Sequence, residues 1–393
     1  MHATRSRRRF LAEVAVLAAA WSWRAQAEEA VAPALSASDA FAANVTREIV
    51  ATQPQGNVVV SPYSVQGALA LAALGAKGAT RDTLQSVAGL ADLDPAALRA
   101  AFSAPLVQST RAAFVRRGAI AKSYAQAASQ ALAADVRALP HDPVQAAGTV
   151  DRWADHATHH RIASLVDTVP ADVPMLLADA AYLDFRWKYK FEESATHDLP
   201  FRRPGQGDVD VPMMKRWLSA QSGACSVGQY VKLPFEGTPH DGAHLILPRP
   251  GLSADEALDA MLRAPQELEA EAGRWNEVDL TLPRFELRFT GMLTPVLKRV
   301  GLGELFERAD LSGIAPSLAG ASLGDVVQQA WMKVDEAGMK AAAVTAVSIV
   351  AASMARRDPP PPLVLVFDRP FALVVRDKSA LFAAVVRDPS IRA

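Results

Sequence analysis

An α+β fold follows from three features of the chain. Helix-like segments crowd the first half and strand-like runs the second, the segregated order of α+β rather than the alternation of a doubly wound parallel sheet. Met175 to Phe185 is almost wholly apolar, as a central strand buried on both faces is. No internal repeat and no long linker interrupts the 393 residues, so a single domain is expected over 28–393.

Phe41, Val45 and Ile49 recur every fourth residue, which predicts a helix to about Ala51 with Ser38 or Asp39 as its N-cap. Asn57 to Val60 is a short strand stopped by Ser61-Pro62. Ser64 to Leu74 is rich in Ala and Leu and reads as helix, ending at the glycines 75 and 78. Residues 80–168 read mostly as helix, most clearly from Val144 to Ser164 around Trp153. From Val209 onward strand-like runs dominate: Val211–Met214, Tyr230–Pro234, His244–Leu247, Val278–Pro283, Asp325–Val334 and Leu363–Phe367. Leu252 to Arg263 and Met292 to Val300 are the late helical stretches.

Composition narrows the function. Half the residues are hydrophobic and 21% charged, a globular mixture. The formal charge of −1 carries no general basic footprint, so no nucleic-acid partner is expected. The single cysteine, Cys225, excludes an internal disulfide and a multi-cysteine metal site. No run of eighteen uncharged apolar residues occurs, so no membrane-spanning helix is expected.

The N-terminus has the layout of an address: Ser6-Arg7-Arg8-Arg9-Phe10-Leu11, an apolar stretch from Val14 to Trp21, then Ala25-Gln26-Ala27. It resembles a bacterial twin-arginine signal over residues 1–27, and implies export to a periplasmic or extracellular location. Removing it takes away five arginines and one glutamate, moving the charge from −1 to −5.

Residues 338–355, GMKAAAVTAVSIVAASMA, carry only one charge, at Lys340. Small residues alternate with β-branched ones, and Met339, Ala341, Ala343, Thr345, Val347, Ile349 and Ala351 would share one uncharged face of a strand. Such a segment is either an ordinary core element or a strand-competent piece held outside a sheet. Arg356, Arg357, Asp358 and the prolines 359–362 end it.

The flanking residues resemble the serpin family. Val334-Asp335-Glu336-Ala337-Gly338, with Ala341-Ala342-Ala343 after it, is similar to the hinge of the serpin reactive loop. Six further blocks stand in the family's order. They are Asn57–Ser64 with Leu74–Thr80, the Asp179/Tyr182/Leu183/Trp187/Phe191 block, Val211–Met214, Leu282–Phe285, Ala309–Ile314 and Asp368–Phe371. Together the matches span residues 36–389.

The resemblance implies a serpin fold, with three β-sheets, about nine helices and an exposed reactive-centre loop. It implies a suicide substrate of serine proteases: the loop is cut, the acyl-enzyme is trapped, and the loop inserts into the main sheet. No cofactor, metal or catalytic residue is implied, and the chain is expected to be a monomer. The hinge is Glu336, Gly338, Met339, Ala341, Ala342 and Ala343, small and neutral where a buried charge would be costly. Met339 stands where a small hydroxyl residue is usual, and its bulk would slow insertion. Control of insertion is implied at Ser61, Ser64, Asp179, Gln328, Trp187 and Arg284. Asp179 and Gln328 replace the usual Asn and His beneath the sheet and are expected to hydrogen-bond to each other. Arg284 and Glu336 match the family's pair at the top of the sheet.

Sixteen residues beyond Glu336, the family's usual spacing, is Ala352, so Ala352-Ser353 is the expected reactive bond, suited to an elastase-like or subtilisin-like pocket. The loop is longer than usual, with 34 positions from Glu336 to Pro370, so Met354-Ala355 and Arg356-Arg357 stay open, the latter for a trypsin-like protease. The alternative function is a serpin-shaped binding or structural protein that does not inhibit. An enzyme is not expected. Gly320-x-Ser322-x-Gly324 fits a nucleophile elbow, but no helix is predicted after the serine and the last histidine is His244. His156, His159 and His160 lack a zinc motif and read as a polar helix face.

Overall fold

The computed structural model describes residues 35–391, apart from 105, 117, 159, 161–163, 184, 238–241 and 340–360. The expected leader over residues 1–27 lies outside the described residues, as do Ala341, Ala342, Ala343, Ala352, Ser353, Met354 and Arg356.

Nine α-helices occur among the described residues: α1 (Ala37–Thr52), α2 (Pro62–Gly75), α3 (Gly78–Val87), α4 (Pro95–Ala101), α5 (Lys122–Leu132), α6 (Pro143–Ala157), α7 (Ala254–Arg263), α8 (Pro265–Ala272) and α9 (Thr294–Leu297). α1 is capped by Ser36, whose hydroxyl accepts from the Asp39 backbone N–H, so the cap lies earlier than Ser38 or Asp39. α6 ends at Ala157, short of the expected Ser164, and α9 gives way to a π-turn at Lys298–Leu302.

The main sheet has five strands in the order β11 (Phe285–Met292), β14 (Asp325–Val334), β4 (Met175–Leu183), β2 (Val107–Val115) and β3 (Asp135–Ala138). β14 and β4 are parallel and directly paired from Asp325↔Leu176 to Trp331↔Tyr182. β2 and β3 correct the helical reading of residues 80–168. VQSTRAAFV has helix-tolerant alanines at its centre, but it lies antiparallel along the whole of β4, from Val107↔Leu183 to Val115↔Met175. The available sheet edge overrides local propensity.

All nine residues of β4 are buried, as expected for a strand covered on both faces. One face carries Leu176, Ala178 and Ala180 and packs with Phe114 and Val327 against Ala146, Val150 and Trp153 of α6. The other faces α2, which is apolar almost all round and buried at every position except Leu74.

The second sheet joins β1 (Val58–Val60), β18 (Ala380–Val386), β17 (Phe371–Arg376), β9 (Gly242–Pro248), β8 (Gly228–Pro234), β7 (Gly207–Cys225), β10 (Trp275–Pro283) and β16 (Leu363–Val366), with β6 (His197–Arg203) also on β7. It is two of the three expected sheets joined through the 19-residue β7. β7 pairs with β6 up to Met213, with β10 from Met213 to Gln221, and with β8 from Gln221 onward. β12 (Ala309–Asp310) and β13 (Ala319–Ala321) form a small ladder, and strand β14 rather than a helix follows Ser322. No helix among the described residues is long and apolar enough to cross a membrane.

Candidate loop-insertion site

At its end β14 turns sharply. Asp335 and Gly338 exchange backbone hydrogen bonds, Asp335 N–H to Gly338 O at 3.1 Å and Gly338 N–H to Asp335 O at 3.3 Å, around Glu336-Ala337. The chain then runs back as β15 (Gly338–Met339), antiparallel to β5 (Phe185–Arg186), the continuation of β4. Gly338 has φ +132°, and a Cβ there would lie 2.5 Å from Phe185 O and 2.6 Å from Arg186 Cα. Only glycine fits that approach.

Trp187 clamps this turn. Its indole N–H donates to Asp335 O at 2.9 Å and its backbone N–H to Ala337 O at 3.2 Å. The ring is buried against Phe185 and Phe235, with centroids 5.1 and 5.7 Å away. Phe191 N–H donates to Glu336 O at 2.9 Å.

The Glu336 side chain accepts from Arg284 at 2.5 Å and from the Thr196 hydroxyl at 2.7 Å. Burial alone would raise the Glu336 carboxyl, but these two bonds hold it below its ordinary value. The hydrogen bond to Glu336 holds the Arg284 guanidinium above its own. The expected top-of-sheet pair therefore forms, and Thr196 joins it.

Beneath the sheet the expected Asp179–Gln328 hydrogen bond is not made. The two residues are opposite one another in the parallel ladder, yet each turns to another partner. Gln328 Nε2 donates to Ser61 O at 2.8 Å. Asp179 Oδ2 forms a 3.1 Å ion pair with Arg111 Nε and accepts from the Ser109 hydroxyl at 3.2 Å. Asp179 Oδ1 and Gln328 Oε1 have no donor among the described residues. Burial pushes the Asp179 carboxyl up to about 6, against Arg111 and the hydroxyls of Ser64 and Ser109, which pull it down. Ser61 caps α2, accepting from Ser64 N–H at 3.2 Å and donating to Leu381 O at 2.8 Å. The Ser64 and Ser109 hydroxyls are 3.2 Å apart.

Arg111 is the member that sequence reading missed. It lies on β2 opposite Asp179, is 3% exposed, and its guanidinium carbon sits 5.6 Å from the Tyr63 ring and 5.3 Å from the Phe102 ring. Gly67 was the available signal. It is a glycine inside a helix, and a Cβ there would run into the Arg111 guanidinium.

A family model described as Serpin (serine protease inhibitor) matches residues 36–389. A serpin-Z5 of Oryza sativa subsp. japonica is 31% identical over 395 residues, covering 89% of each chain. Serine protease inhibitor 42Dd of Drosophila melanogaster is 28% identical over 83% of this chain and 89% of that one. Human thyroxine-binding globulin, solved with its hormone, superposes with a TM-score of 0.79 at 20% identity over 91% of this chain and 98% of that one, a likeness of fold. On its hinge, its main sheet and this match over nearly its full length, the chain belongs to the serpin family, whose members are in general serine protease inhibitors.

Proposed function

We propose that the chain inhibits a serine protease as a suicide substrate, by inserting its cleaved loop between β4 and β14. One observation carries this reading: a short ladder and a separate bridge agree on where the loop would go. Gly338 is opposite Arg186 in the ladder and opposite Asp335 in the bridge. Seven residues further, Thr345 would lie opposite Asp179 on the first count and opposite Gln328 on the second, and those two are already partners across the closed sheet. The strands need only part sideways, with no slide along their axes. β15 is the start of the added strand.

In that register Ala341, Ala343, Thr345 and Val347 would face α2, all uncharged. Ala343 would come between Ala181 and Ala330. The Thr345 hydroxyl would come between Asp179 Oδ1 and Gln328 Oε1, the two acceptors without donors in the resting sheet, and its one O–H would donate to one of them. A donor-poor closed sheet and a donor-bearing added strand both favour insertion.

The proposed bond is Ala352-Ser353, cut by a protease whose pocket takes small side chains. Export through the leader would bring the inhibitor to proteases outside the cytoplasm. Intact-mass analysis of the chain mixed with elastase-like, subtilisin-like and trypsin-like proteases tests the reading. A covalent complex and a released fragment beginning at Ser353 are expected. A fragment beginning at Arg357 moves the target to trypsin-like enzymes. Complete cleavage by every protease with no covalent complex contradicts inhibition.

A further inference from the structure

The buried cluster around Asp179 contains more than a resting sheet needs. Two acceptors, Asp179 Oδ1 and Gln328 Oε1, sit on strands that face each other across the line where the sheet would part, and neither has a donor among the described residues. The charged or titratable groups facing Asp179 are few. β2 contributes Arg111, with the hydroxyl of Ser109. α2 contributes Tyr63, whose phenol burial holds above its ordinary value, with the hydroxyl of Ser64. β14 contributes Gln328, one of whose two amide N–H groups donates to Ser61 O. The Tyr63 phenol is held above its ordinary value, so Asp179 is the group in the cluster that changes between acid and neutral pH.

We propose that Asp179 is a proton-operated latch on the parting line, closed when neutral and open when charged. The proposal rests on the insertion reading above and concerns its regulation. As a carboxylate, Asp179 offers β14 only acceptors, and Gln328 Oε1 answers with another. Arg111 holds the carboxylate toward β2, on the side away from the line. As a neutral acid, Asp179 has one O–H, and the acceptor across the line in its register is Gln328 Oε1. That bond joins β4 to β14 by their side chains and must break before a strand can enter.

The carboxyl titrates in a useful range, because burial pushes it up to about 6. It is mostly neutral at pH 5 and mostly charged at pH 7.5. If only the charged form opens, insertion is about tenfold slower at pH 5.

The test avoids any protease, whose own pH profile would intrude. An N-acetylated peptide of residues 341–352, which contains Thr345, is mixed with the intact chain. Its incorporation is followed by native gel at pH 5 and 7.5. The wild-type chain should take up peptide about tenfold faster at pH 7.5. Asp179→Asn, whose amide is a permanent donor, should be slow at both. Since that change also leaves Arg111 without its counter-ion, Gln328→Met gives a second reading: it keeps the ion pair, removes the acceptor, and should flatten the pH dependence toward the fast rate. Equal wild-type rates at the two pH values overturn the latch and leave insertion standing, as does a pH dependence that survives both substitutions. No uptake at either pH overturns insertion and the latch together.

Discussion

Trp187 reaches the main chain at Asp335 through its indole N–H, at 2.9 Å, and so ties the continuation of β4 to the last residues before the loop. A large buried ring with one polar handle suits that task, since the ring packs against Phe185 and Phe235 while the N–H holds the turn. Trp187→Phe keeps most of the packing and leaves the Asp335 carbonyl without this donor. We expect the resting form to lose about 1–3 kcal/mol. Exchange of the backbone amide at position 187, which donates to Ala337 O, should rise with it. A variant with wild-type melting and wild-type exchange removes Trp187 from the control of the hinge.

Glu336 makes the hinge sensitive to acid in the direction opposite to Asp179. Its carboxyl sits below its ordinary value of 4.5 in the folded chain, so its contribution is present above that value and is lost as pH falls through the folded one. Asp179 is raised, so its contribution is fully present below about 3.8 and is lost as pH rises through about 6. Glu336→Gln should lower resting stability by about 1 kcal/mol near neutrality, modest because Arg284 is partly exposed. The variant and wild-type melting curves should converge at pH 3. A constant gap from pH 3 to 7 would mean that the ion pair is not the cause.

Ala343→Arg tests the proposed strand from the loop side. In the register above, its side chain would be driven between Ala181 and Ala330, both buried. A lone buried charge costs several kcal/mol, enough to stop insertion. The variant should be cleaved at the wild-type rate without trapping the protease. Covalent complex formed as well as by wild type would remove the inserted strand from the account.

Thr345→Val keeps shape and strand propensity but removes the hydroxyl whose O–H would donate to Asp179 Oδ1 or Gln328 Oε1. The loop-cleaved form should lose about 1–2 kcal/mol while the uncleaved form keeps its melting midpoint. Equal stability of the two cleaved forms would put Thr345 elsewhere.

The site was legible where residue type carries geometry. Gly338 marked the turn, the apolar run from Met175 marked the central strand, and Arg284 with Glu336 gave the ion pair that forms. The sequence was silent where long-range pairing decides. β2 looked helical because its alanines and Arg111 suit a helix, and only β4 beside it makes it a strand. That single error hid Arg111, and with Arg111 absent Asp179 was assigned to Gln328. The two residues stand opposite one another, but the nearby guanidinium is the stronger partner for a carboxylate. α1 began early for a simpler reason: three residues within four positions, Ser36, Ser38 and Asp39, can all cap, and only the backbone geometry chooses.

In the proposed mechanism the loop becomes a strand of the main sheet after it is cut. Thermal melting of the chain before and after complete cleavage within residues 345–357 measures this most directly. An added strand brings two new backbone ladders and buries an uncharged face, so the cleaved form should melt well above the intact one. An unchanged or lower midpoint after complete cleavage would contradict insertion between β4 and β14.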